Sequence, residues 1–246
     1  MEGEKKMKIN QVKSQIRKIA KEFDLKYKGE WFEYMWISKR QEILTEFIGD
    51  CPDPIYKKYG KTSEQRIKNL NKFVRSKDFL KCIKRFGGQV SEKRTLKKEE
   101  NLYKKIQDKK IKSELLELHA RIKTRLKKTN QVALLTKTNT KKEKDWLERY
   151  ILRHEWIHIL LHKNGIDFQE IHKKYWPYDE GLNEYLSAFI ESNLSKLEKF
   201  RDKETYPMEK KNWVYAIKFR ELLKNKQTSR ERKRAIMNLI KRLNKR

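Results

Sequence analysis

Hydrophobic residues recur along most of the chain with the spacing of helices. The clearest stripe predicts an amphipathic helix, because its residues fall at i, i+4, i+7, i+11 and i+15: Ile111, Leu115, Leu118, Ile122 and Leu126. Weaker patterns of the same kind predict further helices over residues 8–28, 30–48, 62–86, 143–162, 179–197, 208–225 and 230–244. Most of the chain is therefore expected to be helical.

One segment departs from this pattern. Residues 131–140 read QVALLTKTNT, a short run with β-branched side chains and polar ends, which is typical of a strand. Thr140 and Glu143 have the spacing of a helix capping box directly after it, and so do Thr228 and Glu231 before the last predicted helix. We therefore expect a mainly α (α+β) fold with a small β-sheet.

Composition divides the chain into three predicted regions. Residues 89–110 are highly charged and are the best candidate for a boundary or an exposed connection, so residues 1–110 are expected to form a helical N-terminal region of unknown role. Residues 111–205 form a core that carries the candidate chemistry. Residues 206–246 form basic C-terminal helices.

The chain is strongly basic. Its 246 residues include 63 Lys and Arg against 34 Asp and Glu, a formal net charge of +29. Such a field attracts polyanions, so nucleic acid is a candidate partner. Lysine-rich codon usage or a high growth temperature would produce the same charge, and charge shows attraction and not recognition.

Cysteine content and hydropathy exclude two classes of protein. The two cysteines, Cys51 and Cys82, are too few for a disulfide framework or a zinc ribbon. No window approaches 18 apolar residues, and the N-terminal sequence MEGEKKMKIN lacks the apolar region of a signal peptide. We therefore expect no transmembrane segment and a cytoplasmic location.

Residues 154–158 read HEWIH, an HExxH motif inside the helix predicted over 143–162. At 100° per residue, His154 and His158 lie one turn apart on one face, where two imidazoles can hold a single Zn²⁺. Glu155 lies beside them, where its carboxylate can take a proton from a zinc-bound water as general base. The motif thus predicts one zinc ion per chain.

Glu180, in the segment DEGLNEYLSAF, is the predicted third ligand. It follows His158 after a loop and lies on the next predicted helix. Glu180 and Glu184 stand at i and i+4, so both carboxylates face the same way. One can bind the metal, and the other can accept a hydrogen bond from a ligand imidazole.

Three other histidines compete with this assignment. His162 extends the run to i, i+4 and i+8, about 12 Å end to end, so it is expected in the core or behind a ligand. His172 is an alternative third ligand or a donor to the transition state. His119, on the helix after residue 111, is expected to be structural.

HEWIH followed by DEGLNEY resembles the gluzincin metallopeptidases, whose pattern is HExxH and then a glutamate ligand on the next helix. The likeness covers residues 111–197, and the compact size with a strand before the zinc helix is similar to the small minigluzincins. It implies a zincin-like catalytic domain with an active-site helix and a glutamate helix. The implied activity is that of a zinc-dependent endopeptidase acting on peptides or proteins.

The resemblance also assigns roles by position. It makes His154, His158 and Glu180 the zinc ligands, Glu155 the catalytic base, and Glu184 a carboxylate behind a ligand. It makes the 131–137 strand an edge that holds an extended peptide by main-chain pairing. Four residues are candidates to stabilise the oxyanion: His172, Tyr175, Tyr178 and Tyr206.

A second likeness leads to an alternative function. HEWIHILLH is similar to the zinc helix of the ImmA/IrrE-type regulatory peptidases, which act on transcriptional regulators. The alternative is a basic nucleic-acid-associated protein, or a regulatory peptidase of this kind, with a structural or latent zinc site.

Overall fold

A computed structural model describes residues 2–49, 54–83, 88–92, 95–137, 144, 147–168, 176–204 and 207–245. The chain is mainly helical and divides into two compact units. One unit consists of Met1–Gly29 and Glu148–Arg246, and the other consists of Glu30–Leu147. The domain boundaries predicted at residues 110 and 205 each fall inside one of these units.

The Glu30–Leu147 unit contains a three-stranded sheet with the strand order β1-β3-β2. Its strands are β1 (Tyr34–Ile37), β2 (Gly88–Glu92) and β3 (Gln131–Thr136). β3 lies in the middle, parallel to β1 and antiparallel to β2, and all six of its residues are buried. The predicted strand is confirmed over these residues. Its prediction as a peptide-binding edge is wrong, because both of its sides are paired within the sheet.

The helix predicted over 30–48 is wrong in its first half, where the chain forms β1. Met35 and Ile37 are buried and alternate with half-buried neighbours, which is the pattern of a strand. The second half is α2 (Lys39–Ile48), which begins after a capping box at Ser38. The aromatic residues of this segment, Trp31, Phe32, Tyr34 and Trp36, therefore lie in a sheet strand and in the residues just before it.

Short helices make up the rest of this unit. They are α3 (Pro54–Lys57), α4 (Ser63–Lys68), α5 (Leu70–Val74), α6 (Lys77–Ile83), α7 (Leu96–Lys104) and α8 (Lys109–Arg125). Three of them, α4 to α6, replace the single helix predicted over 62–86. All five residues of the apolar stripe on and just after α8 are buried, which confirms that prediction.

The described residues of the charged segment 89–110 belong to the folded unit, so the prediction of a domain boundary there is wrong. The segment supplies most of β2, all of α7 and the first two residues of α8. Leu102, Tyr103 and Ile106 belong to the hydrophobic core. The lysines at the end of α7 are exposed, as expected for an amphipathic helix that buries one side only.

The other unit is built from helices at both ends of the chain. They are α1 (Glu2–Glu22), α9 (Leu152–Lys163), α10 (Trp176–Ile190), α11 (Leu197–Lys203), α12 (Pro207–Leu223) and α13 (Ser229–Asn244). A π-helical turn, Leu147–Ile151, leads into α9, and 3-10 turns cover Gly29–Trp31 and Leu194–Lys196.

Most helices of this unit agree with the sequence. Those predicted over 143–162, 208–225 and 230–244 are confirmed within the described residues. The helix predicted to run to residue 197 stops at Ile190. Ser192 there adopts a positive φ of 57°, and the Asn193 N–H donates to the Ala188 carbonyl at 2.8 Å.

A glycine allows α10 and α12 to pack closely. A Cβ added to Gly181 would lie 2.3 Å from the Cβ of Tyr215 and 2.9 Å from its carbonyl carbon. Only a residue without a side chain fits at this crossing. No helix in the described ranges is long and apolar enough to cross a membrane.

Candidate metal centre

α9 is held by burial along most of its length and by a defined end. Six apolar residues of this helix are each 0% exposed: Leu152, Trp156, Ile157, Ile159, Leu160 and Leu161. The helix ends before Gly165, whose φ is 71° and whose N–H donates to the His162 carbonyl at 3.0 Å. The polar side chains of α9 therefore project from a well-anchored helix.

Two histidines of α9 and one glutamate of α10 converge on one point. The Nε2 atoms of His154 and His158 are 3.2 Å apart. Glu180 places Oε2 3.2 Å from His154 Nε2 and Oε1 3.4 Å from His158 Nε2. Around a tetrahedral zinc ion with bonds of about 2.0–2.1 Å, neighbouring donors lie roughly 3.3 Å apart. Each histidine has a Glu180 oxygen at about this spacing, and one donor atom from each residue lies within 4.8 Å of the others, so the three side chains are candidates to hold one zinc ion.

Two further carboxylates lie behind the two histidines. Glu184 Oε1 is 3.7 Å from His154 Nδ1, and Asp179 Oδ2 is 3.2 Å from His158 Nδ1. Asp179 is completely buried. A carboxylate on the far nitrogen fixes the tautomer and ring orientation of a metal-binding histidine. Asp179 thus lies at ion-pair distance from His158 Nδ1, while the Nε2 atom of the same ring is directed at Glu180.

A second group overlaps the first. His158, His162 and Asp179 also place one donor atom each within 4.8 Å of the others. His162 Nε2 is 3.6 Å from Asp179 Oδ2. His162 thus lies behind a candidate ligand, one of the two positions predicted for it. The two groups share His158 but use its two different ring nitrogens.

Contacts between the backbone and side chains hold α9 against α10. The Asn183 amide donates to the His154 carbonyl at 2.9 Å, and Asn183 is fully buried. Arg153 Nη1 lies 2.8 Å from Glu191 Oε1, just beyond the end of α10. Both contacts lie near the start of α9 and help to keep the two helices in register beside the histidine–glutamate cluster.

Without a bound metal, the opposite charges of this cluster stabilise one another. Burial raises the pKa of Glu180, but His158 and His154 beside it outweigh burial and lower the pKa to about 2. Burial lowers the pKa of His158, yet Glu180 and Asp179 raise it well above the ordinary imidazole value. Burial is the main reason that the pKa of Glu184 is raised. Glu180 is therefore ionised, the form in which a carboxylate binds a metal.

Among the remaining predicted site residues, the structure describes Glu155 and Tyr178. Glu155 is 6% exposed and follows His154 directly on α9. Tyr178 packs against Tyr215 with ring centroids 4.4 Å apart, in an aromatic cluster with Phe168. Three candidates lie outside the described residues: His172, Tyr175 and Tyr206.

His119 has a structural environment, as predicted. Its Nε2 atom lies 3.0 Å from the Leu96 carbonyl, and the residue is buried. Asp179 was not predicted as part of the site from sequence. In the sequence, the one feature that points to Asp179 is its position directly before Glu180. Acidic residues are common near the N-terminus of a helix, so this position alone does not identify a site residue.

Comparison with models of protein families, with characterised proteins and with solved structures gives no significant match.

Proposed function

We propose that this protein is a zinc-dependent endopeptidase of the gluzincin type that hydrolyses bonds in peptides or proteins. The main support is the spacing of three donor side chains from two helices, with distances of 3.2–3.4 Å between neighbouring donor atoms. The HExxH order adds Glu155 next to the first histidine, where a proton acceptor is needed.

Exposure favours a catalytic site over a structural one. Structural zinc is enclosed by four protein ligands, whereas catalytic zinc keeps a position open to water. The side chains of His154 and Glu180 are 21% and 13% exposed, so part of each is open to solvent. Within the described ranges, the group that includes these residues and His158 contains three donors.

Each residue has a separate task in the proposed reaction. Zinc, when bound, supplies a Lewis acid that polarises the scissile carbonyl and favours deprotonation of water. Glu155 takes the proton of the attacking water and passes it to the leaving amine. Asp179 orients His158 from its far nitrogen, and Glu184, 3.7 Å from the far nitrogen of His154, has a weaker effect of the same kind.

The deciding experiment separates zinc binding from proton transfer. We expect the purified protein to hold about one zinc ion per chain by elemental analysis. Glu155→Gln should keep the zinc and lower the cleavage rate of an unstructured protein at least about 100-fold, because the amide cannot accept the proton. Cleavage is followed as fragment formation at fixed enzyme concentration.

Two control variants complete this experiment. Glu221→Gln changes an exposed glutamate of α12 and should leave both zinc content and cleavage unchanged. His119→Gln removes a buried histidine outside the cluster and should also keep the zinc, whereas His158→Gln should lose it. Wild-type cleavage by Glu155→Gln would disprove the role of this residue, and a wild-type protein without zinc would disprove the proposed function.

A further inference from the structure

A positively charged groove lies in the C-terminal part of the unit that contains the histidine cluster. It is formed by α13, the end of α12 and the loop between them, and has a volume of about 720 Å³. Its lining includes five cationic residues, namely Lys226, Arg234, Lys241, Arg242 and Lys245. The single acidic lining residue, Glu231, accepts a hydrogen bond from the Thr228 N–H at 2.9 Å as part of the α13 capping box.

Other cations on the same helices are paired with acids. Arg220 contacts Glu198 at 2.5 Å, Arg232 contacts Glu22 at 2.9 Å, and Lys233 contacts Asp24 at 3.6 Å. For the five groove cations, no carboxylate in the described parts of the chain lies within 4.0 Å of a charged nitrogen. Their charges are therefore not used to hold the helices together. They repel one another unless an anion lies between them.

α13 keeps its charged and apolar residues on opposite faces. Arg234, Lys241 and Lys245 are seven and four residues apart, a spacing that places them on one face. The opposite face is buried through Ile236, Ile240 and Leu243, which are 1%, 7% and 7% exposed. The groove thus has a cationic wall on a helix that is firmly packed on its other side.

This arrangement favours a nucleic acid over a membrane surface. A membrane-binding helix exposes large apolar side chains next to its basic residues so that they enter the lipid. On α13, Ile236, Ile240 and Leu243 are buried and Met237 and Leu239 are half-buried, so none of its large apolar side chains is fully exposed. A concave site lined by lysine and arginine fits a phosphodiester backbone, and Asn238 in the lining adds an amide donor for phosphate oxygens.

We propose that this groove binds the phosphodiester backbone of nucleic acid, independently of base sequence. Lys241, Arg242 and Lys245 provide the central contacts, with Arg234 and Lys226 extending them along the groove. This binding goes beyond the proposed peptidase activity and does not depend on the metal centre.

The test is a charge-neutralised variant, Lys241→Gln/Arg242→Gln/Lys245→Gln. All three side chains are exposed and glutamine is a good helix former, so α13 should remain folded. The probes are a DNA duplex of about 20 base pairs and an RNA single strand of the same length, measured by fluorescence anisotropy over a range of salt concentrations. We expect affinity to fall on the order of tenfold or more, and the salt-dependence slope to decrease by about two to three.

A matched variant carries the same change in net charge outside the groove. Lys199, Lys203 and Lys211 are exposed lysines of the same unit, and their replacement by glutamine should change affinity by no more than about threefold. Glu180→Gln should bind the probes as the wild type does. Equal losses in the two triple variants would overturn the proposal, because diffuse charge would then explain binding.

Vesicles containing phosphatidylserine and polyglutamate are tested in parallel as other anionic partners. Weaker binding of both than of the nucleic acids at equal salt supports the proposal. Preferential binding of either would overturn it in favour of a membrane or an acidic protein. The lack of measurable binding to the duplex and to the single strand at low salt would overturn it as well.

Discussion

Two histidine–carboxylate groups share His158 and differ in their access to solvent. The first group adds His154 and Glu180, whose side chains are 21% and 13% exposed. The second adds His162 and Asp179, which are 14% and 0% exposed. Residue types alone do not distinguish them, because both groups contain two histidines and one carboxylate on the same two helices.

The comparison shows how one imidazole can serve two purposes. His158 directs Nε2 to the more exposed group and Nδ1 to the buried carboxylate of Asp179. Water and substrate reach the first group more readily, because the carboxylate of the second group, Asp179, is completely buried. The buried side suits a carboxylate that fixes the ring. We therefore assign metal binding to the exposed group and positioning to the buried one.

Exchanging the two carboxylates for amides tests this assignment with the largest expected effect. Glu180→Gln should abolish stoichiometric zinc binding, because a ligand is lost. Asp179→Asn should retain zinc but weaken its affinity about 10- to 100-fold, the range seen for partners of ligand histidines. Competition with a chromogenic chelator measures both affinities.

The opposite order of zinc affinities in these two variants would contradict the assignment. If Asp179→Asn lost zinc while Glu180→Gln kept it, the metal would occupy the buried group with His162. Circular dichroism of both variants checks that helix content is retained. A protein with zinc in the buried group would have no open ligand position on the exposed side, and the peptidase proposal would fail with it.

Local spacing explains why the sequence predicted part of this site. His154 and His158 are one turn apart on a helix, so their joint orientation follows from the chain itself. The helix pattern of α9 and the glycine after its end were equally visible. The prediction that Glu180 is the third ligand needed only the assumption that the next helix packs against the first.

The role of Asp179 depends on tertiary packing and was not visible. Asp179 and Glu180 are adjacent and point about 100° apart, so the rotation of α10 decides which histidine each one meets. That rotation is fixed by distant contacts such as Gly181 against Tyr215 and Asn183 against the α9 backbone. No local pattern carries this information.

The strand β1 was missed for a similar reason. Its aromatic and apolar residues also satisfy a helix pattern, and the segment becomes a strand by pairing with β3 about 100 residues further along. The structure also gives β3 two partners, which the sequence of β3 alone did not indicate. Pairing partners that are distant in sequence are thus the main source of error in the predicted fold.

A smaller effect is expected from the helix crossing that positions both groups. Gly181→Ala adds a Cβ that would overlap the Tyr215 backbone, so α10 must move away from α12. We expect a loss of roughly 1–3 kcal/mol in the free energy of unfolding, measured by urea denaturation. Ser187→Ala, a half-buried change on the same helix, should stay within about 0.5 kcal/mol of wild type.

The zinc affinity of the Gly181→Ala variant tests whether the helix crossing also positions the histidine–carboxylate groups. A shift of α10 moves Glu180 and Asp179 together, so both groups should be disturbed and zinc should bind more weakly. Unchanged stability together with unchanged zinc affinity would show that the crossing does not position the cluster.

The smallest effects on zinc binding are expected at Glu184 and His162, neither of which is a proposed ligand. Glu184 lies 3.7 Å from His154 Nδ1, beyond hydrogen-bond distance, and its side chain is 22% exposed. Glu184→Gln should therefore weaken zinc binding less than about tenfold, below the effect of Asp179→Asn. His162→Gln leaves His158 and its contact with Asp179 in place, so zinc affinity should stay within about threefold of wild type. A loss at Glu184 larger than that at Asp179 would mean that His154, and not His158, is the histidine held by a carboxylate. The two groups would then differ in exposure but not in function.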